Sequence, residues 1–126
     1  MIELKDYIVA ARGDEIVSAD IALGELAFTV KREALHGFIR FLKTDAKCAF
    51  NQLVDICGAD YPERGPQARF DVVYNLLSLK LNQRVRVKTV VGEGGSVASV
   101  TDLYSLAGWF EREAWDLYGI DRKSVV

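Results

Sequence analysis

Histidine and methionine each occur once in this chain of 126 residues, and proline, cysteine and tryptophan twice each. These scarcities exclude several chemistries. The two cysteines, Cys48 and Cys57, form no Cys-x-x-Cys pair, so a cluster bound by four thiolates of this chain is arithmetically impossible. Both are expected to be small apolar residues in or near a strand, kept reduced as in a cytosol. The lone histidine, His36, is far in sequence from the densest group of carboxylates, which argues against a zinc site. It would also have to serve any Ser/His/Asp or Cys/His nucleophile arrangement, yet it lies on a helical segment between Arg32 and Arg40. That setting suits a solvated or interface residue better.

Long apolar runs are absent too. No uncharged stretch exceeds eight residues, against the roughly 18 to 20 that a membrane-spanning helix needs. The N-terminus carries Glu3, Lys5 and Asp6 and has neither a signal-peptide core nor Arg-rich transit character. The protein is therefore expected to stay where it is made and to meet a membrane only through a partner. Positive charge is not in excess, since the formal net charge is −2, which argues against nucleic acid as a partner. Gly92-Glu93-Gly94-Gly95 lacks the Gly-Lys-Ser/Thr ending of a phosphate loop, and no nicotinamide, flavin or nucleotide motif occurs.

What is present describes one domain. Half of the residues are apolar and 27% are charged, the balance of a globular chain with a single core. Leu4, Tyr7, Ile8 and Ala11 make a short helical stripe that Gly13 ends. Glu15 to Ala22 and Glu25 to Val30 read as a hairpin around Gly24. Lys31 to Lys43 returns to helical spacing, with Leu35, Phe38, Ile39 and Leu42 on its buried stripe. Phe50 to Ala59 is strand-like. Both prolines fall in the aperiodic stretch from Pro62 to Ala68, which reads as a loop.

Arg69 to Leu79 is apolar on both faces in its middle and is expected inside a sheet. Arg84 to Val91 alternates cleanly, with Val85, Val87 and Thr89 inward and Arg84, Arg86 and Lys88 outward. Gly92 to Ser99 is expected to be a flexible connection. The reading is α+β: a mixed or antiparallel sheet with helices on one face, over residues 1–120, followed by a short tail, 121–126.

The last helix is the richest in chemistry. Leu103, Leu106, Ala107, Phe110, Ala114, Leu117 and Tyr118 fall at one-face spacing, so a helix is predicted from Asp102, capped by Thr101 or Asp102 and ended by Gly119. Off that face lie Trp109, Glu111, Arg112, Glu113, Trp115 and Asp116. Arg112 and Asp116 are spaced to pair, and the three acids are expected on one exposed side. That placement favours ordinary ionised carboxylates over a general acid–base pair. The two indoles either anchor an interface, where Trp and Arg are enriched, or pack under loops of their own domain. Likewise, the Arg84, Arg86, Lys88 strip is either a docking strip for an acidic partner or a solvated sheet face.

Three stretches carry a family resemblance. Trp109-Phe110-Glu111-Arg112-Glu113-Ala114-Trp115-Asp116-Leu117-Tyr118-Gly119-Ile120 is similar to the signature of the C-subunit of the proton-translocating NADH:quinone oxidoreductase (NADH dehydrogenase I), respiratory complex I. Phe50 to Arg64 and Arg69 to Ser78, the latter followed by the basic strand, match the same family in the same order. The resemblance covers roughly Lys31 to Ile120.

It implies a component of the hydrophilic arm, with no active site of its own and no cofactor bound by this chain. NADH, flavin, iron–sulfur clusters and quinone then belong to the assembly. The implied partners are the quinone-site subunit (the D-subunit) and the cluster-bearing arm subunits. The implied place is peripheral, on the cytoplasmic side of a bacterial inner membrane. Trp109, Glu111, Arg112, Glu113, Trp115, Asp116 and Gly119 then take structural and interface roles. After Ile120 the chain departs from the family, which continues into a long extended tail. The competing reading is a free-standing protein-binding or regulatory module without catalytic activity.

Overall fold

Five stretches rich in β-branched, aromatic or other apolar residues become the strands of one sheet. In a computed structural model of the chain, residues 2–22, 24–118 and 121–123 are described. The chain runs α1 (Ile2–Arg12), β1 (Ile16–Ala22), β2 (Glu25–Val30), α2 (Leu35–Thr44), β3 (Gln52–Asp60), β4 (Phe70–Ser78), β5 (Gln83–Val91), β6 (Ser96–Ala98), α3 (Ala107–Tyr118) and β7 (Asp121–Lys123). The large sheet has the order β1-β2-β5-β4-β3. Its hairpins are antiparallel, and β2 lies parallel to β5. The sheet is therefore mixed, and β4 is interior, as its two apolar faces require.

Alternation assigns the two faces. Val85, Val87, Thr89 and Val91 are buried, while Arg84 and Arg86 between them are exposed. The register sets Val85 beside Leu26 and Leu76, and Val87 beside Phe28 and Tyr74. Onto this face pack Ile8 of α1, Leu35, Phe38, Ile39 and Leu42 of α2, and Ala107 and Trp115 of α3, forming one core cluster. Phe38 meets Phe28 edge-on at 5.5 Å between ring centroids. Burial of each such large apolar side chain is worth about 1.5–3 kcal/mol, which is why all three helices choose the same side. The opposite face holds a shallow hollow formed by strand residues, Ala27, Thr29, Cys57, Val73, Asn75 and Lys88 among others. No described helix is long and apolar enough to cross a membrane.

Two expectations need correction. The last helix starts at Ala107, not Asp102. Before it the chain makes tight turns, with the amides of Leu103 and Tyr104 both donating to the Val100 carbonyl. Tertiary contacts hold those turns: the Tyr104 hydroxyl donates to the Phe50 carbonyl at 2.6 Å and Lys43 donates to the Leu103 carbonyl. Asp102 faces His36 Nε2 at 2.9 Å and so is engaged by α2 instead of capping α3.

The glycine stretch is also more than a connection, because β6 lies within it and pairs with β7. Gly92 lies so close to the 66–67 backbone that an added Cβ would sit 2.9 Å from the carbonyl oxygens of Pro66 and Gln67. Only glycine fits there.

The cysteines separate as well. Cys48 is fully buried ahead of β3, whereas Cys57 is exposed on the open sheet face. Burial, helped by Asp45, pushes the Cys48 thiol up to about 11. Burial and Asp55 also raise Cys57, against a lowering by Arg86. Neither thiol is activated by its surroundings, and only Cys57 is open to a reagent. A disulfide reagent at pH 8 should modify one thiol per native chain, and Cys57→Ser should abolish that reaction. Two equally fast thiols would contradict the buried place of Cys48.

Candidate functional site

Helix α3 sorts the signature residues by depth. At about 100° per residue, positions four and eight apart stay on one face, and the buried line is Ala107, Glu111 and Trp115. Glu111 is 0% exposed and Trp115 5% exposed. The Glu111 carboxylate accepts the Ser99 hydroxyl at 2.7 Å on one oxygen and the Val100 amide at 2.8 Å on the other. Ser99 in turn accepts the Thr101 amide at 3.2 Å. These charge-assisted bonds tie the end of β6 to α3 and offset the cost of burying the charge. The phenol of fully buried Tyr74 is pushed well up, first by burial and then by the Glu111 charge.

Glu111 therefore does not share an exposed side with Glu113 and Asp116, and the three acids do not form one group. Apolar spacing alone misassigned it, because its donors come from residues 99 and 100, which no local helical spacing reveals. Trp115 likewise belongs to the core, with its indole N–H buried and without a hydrogen-bond partner among the described residues. Gly119 lies outside the described residues, as do the side chains of Ala114, Leu117 and Tyr118.

The opposite face of α3 is open. Trp109 is 74% exposed and Leu106, just before the helix, 63% exposed. Arg112, Glu113 and Asp116 are exposed too. The expected Arg112–Asp116 pair does not close among the described residues, and Glu113 has no ion pair there either. Beside Leu106 a groove of about 480 Å³ runs between α2, the start of β3 and the turn before α3, lined by Lys43, Gln52, Leu53, Leu103 and Tyr104 among others. Lys43 is already engaged, 5.3 Å over the Tyr104 ring and bonded to the Leu103 carbonyl. The sequence signal for this groove is weak, since Leu103 and Leu106 look like core positions of a longer helix.

The basic strip lies on the open sheet face among acids. Arg86 reaches Glu25 at 3.6 Å, and Lys88 reaches Asp71 at 3.8 Å. Asp71, 4% exposed, also accepts Arg64 at 2.6 Å. Asp20 lines the same hollow. Arg84 is exposed and has no ion pair among the described residues. The strip is thus a mosaic of both signs, two of its three cations being matched within the chain. Among the described residues no three histidine, cysteine or acidic side chains converge as metal ligands.

Residues 28–124 match the model of the family described as Respiratory-chain NADH dehydrogenase, 30 Kd subunit. The chain belongs to this family. It is 49% identical over 118 residues to the C-subunit of the NADH-quinone oxidoreductase of Sinorhizobium medicae, an alignment spanning 94% of this chain and 58% of that protein. It is 50% identical over 119 residues to the corresponding C-subunit of Paramagnetospirillum magneticum, spanning 94% and 59%. The chain thus spans somewhat under three fifths of the length of these family members. Its fold is similar to a chain of the membrane-bound sulfane sulfur reductase, an archaeal respiratory membrane complex, with a TM-score of 0.82 at 21% identity. That likeness covers 97% of this chain and 69% of the other.

Proposed function

We propose that the chain is a peripheral-arm component of an NADH:quinone oxidoreductase, a scaffold that supports electron transfer from NADH to quinone coupled to proton translocation. In this reading it binds no cofactor itself. NADH, flavin, iron–sulfur clusters and quinone are held by other subunits. It docks on the quinone-site subunit and on the cluster-bearing subunits, at the cytoplasmic side of a bacterial inner membrane.

The observation that carries the reading is the exposed Leu106–Trp109 surface, with charges beyond it that have no ion pair among the described residues, in a chain of this family. A 74% exposed tryptophan is costly to leave in water and is the residue type that anchors interfaces. The matched basic strip carries less of the argument, since partner charge would have to compete with Glu25 and Asp71.

Co-expression with the quinone-site subunit from the same organism tests the proposal. The two chains should co-elute on size exclusion as a stable complex. Separate elution at micromolar concentration would remove the quinone-site subunit as a direct partner.

A further inference from the structure

The charges on the open side of α3 point to the chemistry of what covers it. Leu106, Trp109, Glu113 and Asp116 follow one another at intervals of three or four, an arc of roughly 80° at the helical repeat. Arg112 stands at its margin. The stripe therefore begins apolar, beside the groove lined by Leu53, Leu103 and Tyr104, and ends acidic.

The acidic end is electrostatically unfavourable in the free chain. A helix C-terminus carries partial negative charge from its unpaired carbonyls and favours cations. The last turn of α3 has no basic residue. Asp116 falls in this end, with Glu113 one turn before it, and neither has an ion-pair partner among the described residues. Three negative contributions thus accumulate on one exposed arc without a counterion among those residues. The groove end is different: its cation, Lys43, is already satisfied by Leu103 and Tyr104.

Resting on the reading above, we infer that this stripe is a docking site for a polypeptide segment of a partner protein in the same assembly. That segment presents a large apolar side chain to Leu106 and Trp109 and an arginine or lysine to Glu113 and Asp116. The apolar end supplies the burial and the acidic end fixes the direction in which the segment lies. An acidic or neutral segment would leave both carboxylates facing low-dielectric protein without a counterion, which is penalised. The same charge placement disfavours an anionic lipid surface.

The test titrates the chain with the purified quinone-site subunit at low and moderate salt. Wild-type affinity should fall as salt rises. Glu113→Lys with Asp116→Lys should weaken it ~30-fold or more at low salt and remove the salt dependence. Glu113→Asp with Asp116→Glu, which keeps the charge, should stay within about threefold of wild type. Asp14→Lys, an exposed reversal in another part of the chain, serves as the control and should change little. Thermal melts of each variant confirm the fold, since all these positions are exposed.

Wild-type binding that ignores the double reversal would overturn the inference while leaving the scaffold reading standing. Tighter binding by the reversed variant would overturn it as well, by showing an acidic partner. No binding by the wild type would overturn the inference and remove the quinone-site subunit as a direct partner, leaving the scaffold reading to rest on the cluster-bearing subunits.

Discussion

Glu111→Ala is expected to remove about 2–4 kcal/mol from the unfolding free energy, because it leaves a buried donor without its acceptor and opens a void. The Val100 amide would lose its acceptor in a place water does not reach, the Ser99 hydroxyl would keep only Thr101 Oγ1 at 3.0 Å, and the missing side chain would leave a void. A loss of that size is a large share of the roughly 5–15 kcal/mol that stabilises a typical domain. Glu111→Gln should cost less, about 1–2 kcal/mol. The amide oxygen can still accept the Val100 N–H while its NH₂ donates to the Ser99 hydroxyl oxygen, so what is lost is the charge assistance. Urea unfolding of the three proteins checks the order wild type, Gln, Ala. An alanine variant as stable as wild type would mean that the carboxylate does not hold β6 to α3.

The two tryptophans should give opposite results. Trp115→Ala should cost about 3–5 kcal/mol in stability, the range for truncating a buried aromatic. Trp109→Ala should alter stability by about 0.5 kcal/mol or less and yet weaken binding to the quinone-site subunit by ~30-fold or more, as loss of an interface anchor does. Denaturation and partner titration on both variants separate the roles. The comparison also fixes which variant is diagnostic: loss of binding in Trp115→Ala would follow from damage to the core and say nothing about docking. A stable Trp115→Ala together with an unstable Trp109→Ala would reverse the assignment.

The sheet was largely legible because its signal is local. Val85, Val87 and Thr89 alternate with Arg84, Arg86 and Lys88, and the buried faces follow from that alone. Leu35, Phe38, Ile39 and Leu42 give α2 its core side in the same way. The parallel β2–β5 contact was not legible, since nothing in Leu26 or Phe28 names Val85 or Val87 as a neighbour. The start of α3 was missed for a similar reason: Tyr104 finds Phe50 and Asp102 finds His36, each across a long stretch of chain. Glu111 shows the limit most clearly. By type it belongs on a surface, and only the arrival of Ser99 and Val100 makes its burial tolerable. Exposed Trp109, by contrast, was marked in the sequence as a residue off the apolar stripe.

The place of β2 beside β5 also constrains the order in which the molecule can assemble. Strands β3, β4 and β5 form a meander whose pairings are close in sequence, so they can zip up one after another. The hairpin of β1 and β2 precedes these strands in the chain, but it has no other sheet neighbour until β5 exists. Until then Leu26 and Phe28 have an open edge beside them, and closing it requires a loop that encloses α2, β3 and β4. Contacts of such separation form slowly. The hairpin that precedes the other strands in sequence is thus among the last to be locked into the sheet.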